Sequence, residues 1–190
     1  DAQESRGLGD VYKRQDKGRV MQQAFRGMTL LDYAINASLV LSYVAMRKED
    51  KAGLVTFDEH FDTFVPASKQ PGHMQTLLEK LYSQQTTFGE TDFSALCVHL
   101  NKHVGKRSLL VLYTNFSSIG SMNRQLSYLK QLNHRHRLLV VFFEDADLKE
   151  YIAQPAKDTE GYYRHVIAEK FAYEKRLIVS TLKQHGIYSL

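Results

Sequence analysis

Two short runs of almost unbroken aliphatic residues, 107–113 and 138–143, constrain this chain more than any other feature. A strand with one face in water alternates apolar and polar residues. Leu109-Leu110-Val111-Leu112 and Leu138-Leu139-Val140-Val141-Phe142-Phe143 leave no polar face, so each must be covered on both sides, as in a parallel sheet. A helical segment at 122–132 lies between them, long enough to cross one face of a sheet and return the chain parallel.

The rest of the chain repeats the alternation. Thr29 is placed to cap a helix over 29–46, with Asp32 three residues on as its capping-box partner, and the apolar residues of that helix cover more than one stripe, which predicts packing on two sides. Lys51–Phe57 reads as a short buried strand, and 61–65 as a second extended piece whose brief link permits only antiparallel pairing. Pro66, Pro71 and Gly72 break the chain before a helix over His73–Tyr82, and Thr91 or Asp92 opens another ending near His103. Val166, Ile167, Phe171, Leu177, Ile178 and Leu182 mark a long helix over 159–185, closed by Gly186 and followed by a strand at 187–190. The predicted fold class is α/β, a doubly wound and mostly parallel sheet with one antiparallel edge strand.

Both ends look unlike the borders of a domain. Residues 1–15 show no apolar periodicity and read as a non-native tail, and Asp10-Val11-Tyr12-Lys13-Arg14-Gln15 resembles the translation of a transposon-end adapter used in sequencing libraries. A single domain over 16–190, cut at both ends, is therefore expected. If 11–15 entered a sheet, Lys13 and Arg14 would point to opposite faces, and burying either unpaired would cost several kcal/mol.

Composition excludes some functions. The 25 Lys and Arg against 21 Asp and Glu give only +4, scattered along the chain, so nucleic acid is not an expected partner. The longest stretch without charge, 33–46, falls short of the ~18–20 residues of a membrane span. The single Cys97 rules out an internal disulfide framework. His99 and His103 share a helix face, but Cys97 points elsewhere and no H-E-x-x-H accompanies them. There is no P-loop, G-x-G-x-x-G or G-x-S-x-G, so the apparatus of nucleotide-dependent or hydrolytic chemistry is missing and no enzyme is expected. Glu144, Asp145 and Asp147 read as a solvated turn and helix start.

In a doubly wound sheet ligands sit outside the carboxyl ends of the strands. Three segments fall there: Asp16-Lys17-Gly18-Arg19-Val20-Met21, Gly89-Glu90-Thr91-Asp92 and Tyr113-Thr114-Asn115-Phe116. These segments, with Asp50 and the strand Lys51–Phe57, resemble the von Willebrand factor A-like fold, whose metal-ion-dependent adhesion site uses a D-x-S-x-S loop, a Thr from a second loop and an Asp after a later strand. More narrowly, DKGRVM at 16–21, LLDYAINASLVLSYVA at 30–45, GETDFSAL at 89–96 and HRLLVVFF at 136–143 are similar to the bacterial family termed domain of unknown function 58. The resemblance implies a sheet in which Lys51–Phe57 lies between the edge hairpin strand and a first strand ending at Asp16, with the strand at 109–112 on the first strand's other side.

Carried over by the resemblance, the metal site reduces to Asp16, Thr91 and Asn115, with Gly18 and Val20 where hydroxyls belong and Asn115 where a second carboxylate belongs. That set leaves at most weak magnesium binding, and no cofactor is expected. Asp16 and Thr91 would otherwise hydrogen-bond loop amides, with Thr91 doubling as a helix cap. Lys17 or Arg19 could supply the ion's positive charge, or the loop could be merely solvated, and with Asp92 they form a candidate interaction loop. The family likeness implies a non-enzymatic interaction module partnering a MoxR-type AAA+ ATPase, on the cytoplasmic side of a membrane-anchored parent. The alternative is an α/β enzyme or small-ligand domain using the crevice at Asp16, Thr91 and Asn115.

Overall fold

The computed structural model describes residues 10–22, 24–25, 27–58, 61–85, 91–143, 146–155 and 158–190. In chain order the elements are β1 (Asp10–Asp16), the hairpin β2 (Ala24–Phe25) and β3 (Met28–Thr29), α1 (Leu30–Arg47), β4 (Lys51–Phe57), β5 (Phe61–Ser68), α2 (His73–Tyr82), α3 (Phe93–His103), β6 (Leu109–Tyr113), α4 (Ile119–Arg135), β7 (Arg137–Val141), α5 (Ala146–Ala153), α6 (Thr159–Gln184) and β8 (Tyr188–Ser189). Among the described residues the main sheet runs β5-β4-β1-β6-β7-β8. Its neighbours pair parallel except β4 with β5, which are antiparallel. The predicted order is observed, with β4 between the edge strand and β1 and with β6 on β1's other side.

Helices cover both faces. Leu30, Leu31, Ala34 and Ile35 of α1 and Leu77 and Leu81 of α2 pack on one face against Val11, Leu54 and Val111. On the other, Phe93, Leu96 and Leu100 of α3, Met122, Leu129 and Leu132 of α4, and Ile178 and Leu182 of α6 pack against Tyr12, Val55, Leu110 and Leu112. Continuous apolar strands are thus buried on both sides, as their composition requires.

Several expectations about the ends of elements are met or corrected. Thr29 caps α1 through the predicted box, accepting from the Asp32 amide at 3.1 Å while its own amide donates to Asp32 Oδ2 at 2.8 Å. α1 is not packed on two sides: Val40, Tyr43 and Val44 face solvent. The side laid on the sheet carries small residues, Ala34, Ser38, Ser42 and Ala45, so the bulky apolar residues fall elsewhere on the helix. In α6 Val166, Ile167, Phe171 and Leu177 are likewise exposed, and only Ala168, Ile178 and Leu182 are buried. α4 begins at Ile119, three residues before its expected start, because Ser118 caps it and exchanges hydrogen bonds with Ser121. Gly186, at φ +69°, ends α6 as expected.

The segment expected to lie outside the fold contributes to its centre. Residues 10–16 form β1, paired in parallel with both β4 and β6; residues 1–9 lie outside the described residues, as does the Arg14 side chain. Tyr12 lies over Gly53 of β4, where any Cβ would stand 2.5 Å from its ring, and its hydroxyl accepts from the Ala67 amide at 3.2 Å. On the opposite face Lys13 is wholly buried under α1, its ammonium donating to Ser42 Oγ. Burial pushes the Lys13 amine down to about 7.

Candidate functional site

The carboxyl ends of β1, β4 and β6 lie side by side, and the chain leaving each contributes to one crevice. Asp16 ends β1 with its side chain 1% exposed. The next two residues turn tightly, with the Gly18 amide donating back to Asp16 Oδ1 at 2.8 Å and the Lys17 amide donating to the Phe57 carbonyl of β4 at 2.9 Å. A single 3₁₀ turn over Arg19–Gln22 follows.

Two threonines close on the same carboxylate. Thr91 Oγ1 donates to Asp16 Oδ1 and Thr114 Oγ1 donates to Asp16 Oδ2, each at 2.6 Å. Three donors therefore occupy most of the roughly four acceptor positions of one carboxylate. Burial raises the Asp16 pKa and the nearby Asp58 adds to the rise, while the donors from Thr114, Thr91 and Gly18 oppose it. Thr91 is not the helix cap. Asp92 fills that role, accepting from the amides of Ser94 at 2.7 Å and Ala95 at 3.2 Å, which frees Thr91 to turn to Asp16. The Asp92 amide donates to the Asp58 carbonyl at 2.9 Å and ties this loop to β4. Gly89 and Glu90 of the same loop lie outside the described residues.

Asn115, 6% exposed, sits beside this cluster with its Oδ1 accepting from the Phe116 amide at 3.1 Å. Asp16, Thr91 and Asn115 do meet in one crevice of about 80 Å³, walled also by Arg19, Arg124 and Phe93. Phe93 and Phe116 stack at 6.1 Å beneath it.

The expected interaction loop divides. Arg19 is exposed and lines the crevice. Lys17 turns the other way, is 6% exposed, and places its ammonium 2.8 Å from Asp62 and 3.6 Å from Asp58. Hydrogen bonding from Lys17 holds the Asp62 carboxyl below its ordinary range. Lys17 is thus not offered to a partner: the two carboxylates beside β4 and β5 draw it inward. Arg124 and Gln125 were not predicted. A helix starting at Met122 would place them in its first turn, whereas the Ser118 cap puts Ser121, Arg124 and Gln125 on one face, three to four residues apart, toward the crevice.

The remaining candidates lie elsewhere. Cys97 is buried, its thiol 3.6 Å from the Tyr128 carbonyl, while the rings of His99 and His103 meet at 4.1 Å, tilted, on the half-exposed side of α3 against Phe64. Glu144 and Asp145 lie outside the described residues, and α5 begins immediately after them. A larger, apolar pocket of about 540 Å³ adjoins the crevice at Asn115 and Phe116 and is lined by Phe142, Leu148, Ile152 and Val179. Among the described residues no helix is long and apolar enough to cross a membrane.

Comparison with known proteins agrees with this geometry. An aerotolerance-related membrane protein from Bacteroides fragilis carrying multiple mutations to serine matches with a TM-score of 0.52 at 15% identity, over 80% of this chain and 78% of that one. The conserved hypothetical protein BatB from Bacteroides thetaiotaomicron matches with a TM-score of 0.52 at 14% identity, over 70% of this chain and 66% of that one. The SpRpn10 VWA domain is similar at a TM-score of 0.48 and 12% identity, over 75% of this chain and 79% of its own. No curated protein matches the sequence. At such identities the likeness is one of fold, and the fold is von Willebrand factor A-like, with its mostly parallel sheet, one antiparallel edge strand and helices on both faces. The model of the family described as protein of unknown function DUF58 matches residues 20–151, and this chain belongs to that family.

Proposed function

We propose that this chain is a non-enzymatic protein-interaction module that meets its partner at the crevice beyond β1 and β6, and that the partner is a MoxR-type AAA+ ATPase. The observation that carries the reading is the state of Asp16. Its carboxylate is held by three donors, and among the described lining residues there is no imidazole, thiol or amine to act as base or nucleophile beside it. The surface reads as preorganised for contact.

The adhesion-site metal that the fold implies does not fit the donors present. One buried carboxylate remains, already occupied by hydrogen bonds; the positions of Gly18 and Val20 supply no hydroxyl; Asn115 is neutral and turned to a backbone amide; and two guanidinium groups border the crevice. Magnesium is held by one or two carboxylates and several waters in octahedral array, which favours weak binding at most. No cofactor is assigned.

The module is taken to include β1, since residues 10–16 pair with both β4 and β6, although a lysine buried in a central strand is foreign to such a position. The similar Bacteroides fragilis protein is a membrane protein, which supports a membrane-anchored parent; the cytoplasmic side is assigned to this domain because a MoxR-type ATPase would meet it there. Mixing the purified chain with a MoxR-type ATPase from the same genome tests the reading by co-elution on a sizing column. A complex that Ser117→Trp dissolves by filling the crevice mouth supports it, and failure to co-elute overturns it. A second reading, a small-ligand domain using the Asp16, Thr91 and Asn115 crevice, draws support from the adjoining apolar pocket of about 540 Å³. A stoichiometric apolar ligand carried through purification would favour it.

A further inference from the structure

We propose that the crevice is a metal-free carboxylate receptor in which Arg19 and Arg124 grip an aspartate or glutamate side chain presented by the partner; this deepens the interaction-module reading and rests on it. Arg19 reaches the crevice from the 3₁₀ turn after β1, and Arg124 from the second turn of α4. Both are exposed, and neither has an ion-pair partner among the described residues. Lys17, the other cation of the first loop, is already occupied by Asp58 and Asp62.

The local charge favours an anion. Asp16 is the one carboxylate among the described lining residues, and it is buried and already accepts from Gly18, Thr91 and Thr114. Among the described lining residues two guanidinium groups therefore dominate the mouth, which favours a carboxylate over a divalent cation. Guanidinium matches a carboxylate with two parallel N–H donors, giving short, directional bonds that an ammonium cannot supply. Size fits as well: a crevice of about 80 Å³ has room for a carboxylate group. Gln125, on the same face of α4 as Arg124, offers a neutral amide donor at the rim.

The test is a nitrogen-15 NMR titration of the whole chain with sodium acetate and then glutarate, in EDTA, with methylammonium chloride as the ionic-strength control. Saturable shifts at the amides of Gly18, Phe116 and Ser117, seen with acetate and absent with methylammonium, are expected. The double variant Arg19→Gln, Arg124→Gln should weaken acetate binding at least tenfold, while Arg19→Lys, Arg124→Lys, which keeps charge but loses the fork, should weaken it severalfold. Shifts that need added magnesium, that persist in the double glutamine variant, or that never saturate would overturn the proposal. An ATPase complex that survives the glutamine variant would retire the carboxylate receptor and leave the interaction module standing. Acetate binding as described, with no ATPase complex, would retire the module's partner and leave the receptor.

Discussion

β1 and β6 are neighbours at the centre of one sheet, run parallel in register from Val11 opposite Leu109 to Gln15 opposite Tyr113, and are covered by helices on both faces. β6 is apolar throughout. β1 reads Asp-Val-Tyr-Lys-Arg-Gln-Asp and buries Lys13 completely beside Val111. The contrast teaches that β1's place is set by what its neighbours lack. β4 and β6 each present an edge that must be paired, and a chain ending at Asp16 supplies the pairing whatever its side chains prefer. The mismatch then appears as energy. Lowering a lysine from 10.5 to about 7 at about 1.4 kcal/mol per unit costs about 4 to 5 kcal/mol at pH 7, against a typical stability of about 5–15 kcal/mol for a domain.

The largest expected effect follows directly. Lys13→Met keeps the length and removes the charge, and should raise stability by up to about 4 kcal/mol in urea denaturation at pH 7. The unmodified chain should unfold early or aggregate. A sharp, reversible, high-temperature transition of the unmodified chain would mean that the lysine is accommodated far better than its surroundings indicate.

The pH dependence sharpens the same contrast. Because the folded Lys13 releases its proton at about 7 and an unfolded lysine near 10.4, the unfolded state binds more protons between those values, and stability rises with pH through that window. From pH 7 to 9 the gain should be slightly more than about 2 kcal/mol, and Lys13→Met should flatten the slope. Above pH 10 the trend reverses, since burial pushes the Tyr113 hydroxyl up to about 12 and the folded state then holds the extra proton. Equal slopes in parent and variant would show that Lys13 does not carry the difference.

Smaller effects belong to the polar end of β1. Asp16 is as buried as Lys13 but has three donors, so Asp16→Asn, which keeps an acceptor oxygen for Gly18 and Thr91, should change stability little. Asp16→Ala should cost about 1–3 kcal/mol more by leaving those donors unpaired. The smallest effect is the metal's. Calorimetric titration with magnesium should give nothing tighter than roughly millimolar, and Asn115→Asp with Gly18→Ser and Val20→Ser should tighten it; micromolar binding lost in Asp16→Ala would reverse the account of the crevice.

The same contrast explains what could be read from sequence. β6, β7 and β4 are legible because strands buried on both faces must be almost wholly apolar, and α1 because Thr29 and Asp32 form its capping box. β1 carries no such run, and its existence was signalled only by Asp16 and the likeness of the loop after it. Asp16, Thr91 and Asn115 could be placed together because strand ends converge at a switch point. Arg124 could not, since its orientation depends on where α4 begins, and Ser117-Ser118 reads as loop until the cap is seen. The inward turn of Lys17 depends on Asp62, a strand away, which no local pattern reveals.

The central claim, that β1 buries a lysine in the middle of the sheet with no opposite charge beside it among the described residues, is tested most directly by titrating Lys13 itself. With lysine labelled with carbon-13 at Cε and the Lys13 signal assigned by its loss in Lys13→Met, the account predicts a midpoint at about 7. A midpoint near 10.4, the value of a lysine in water, would show that the ammonium reaches solvent, and would contradict it.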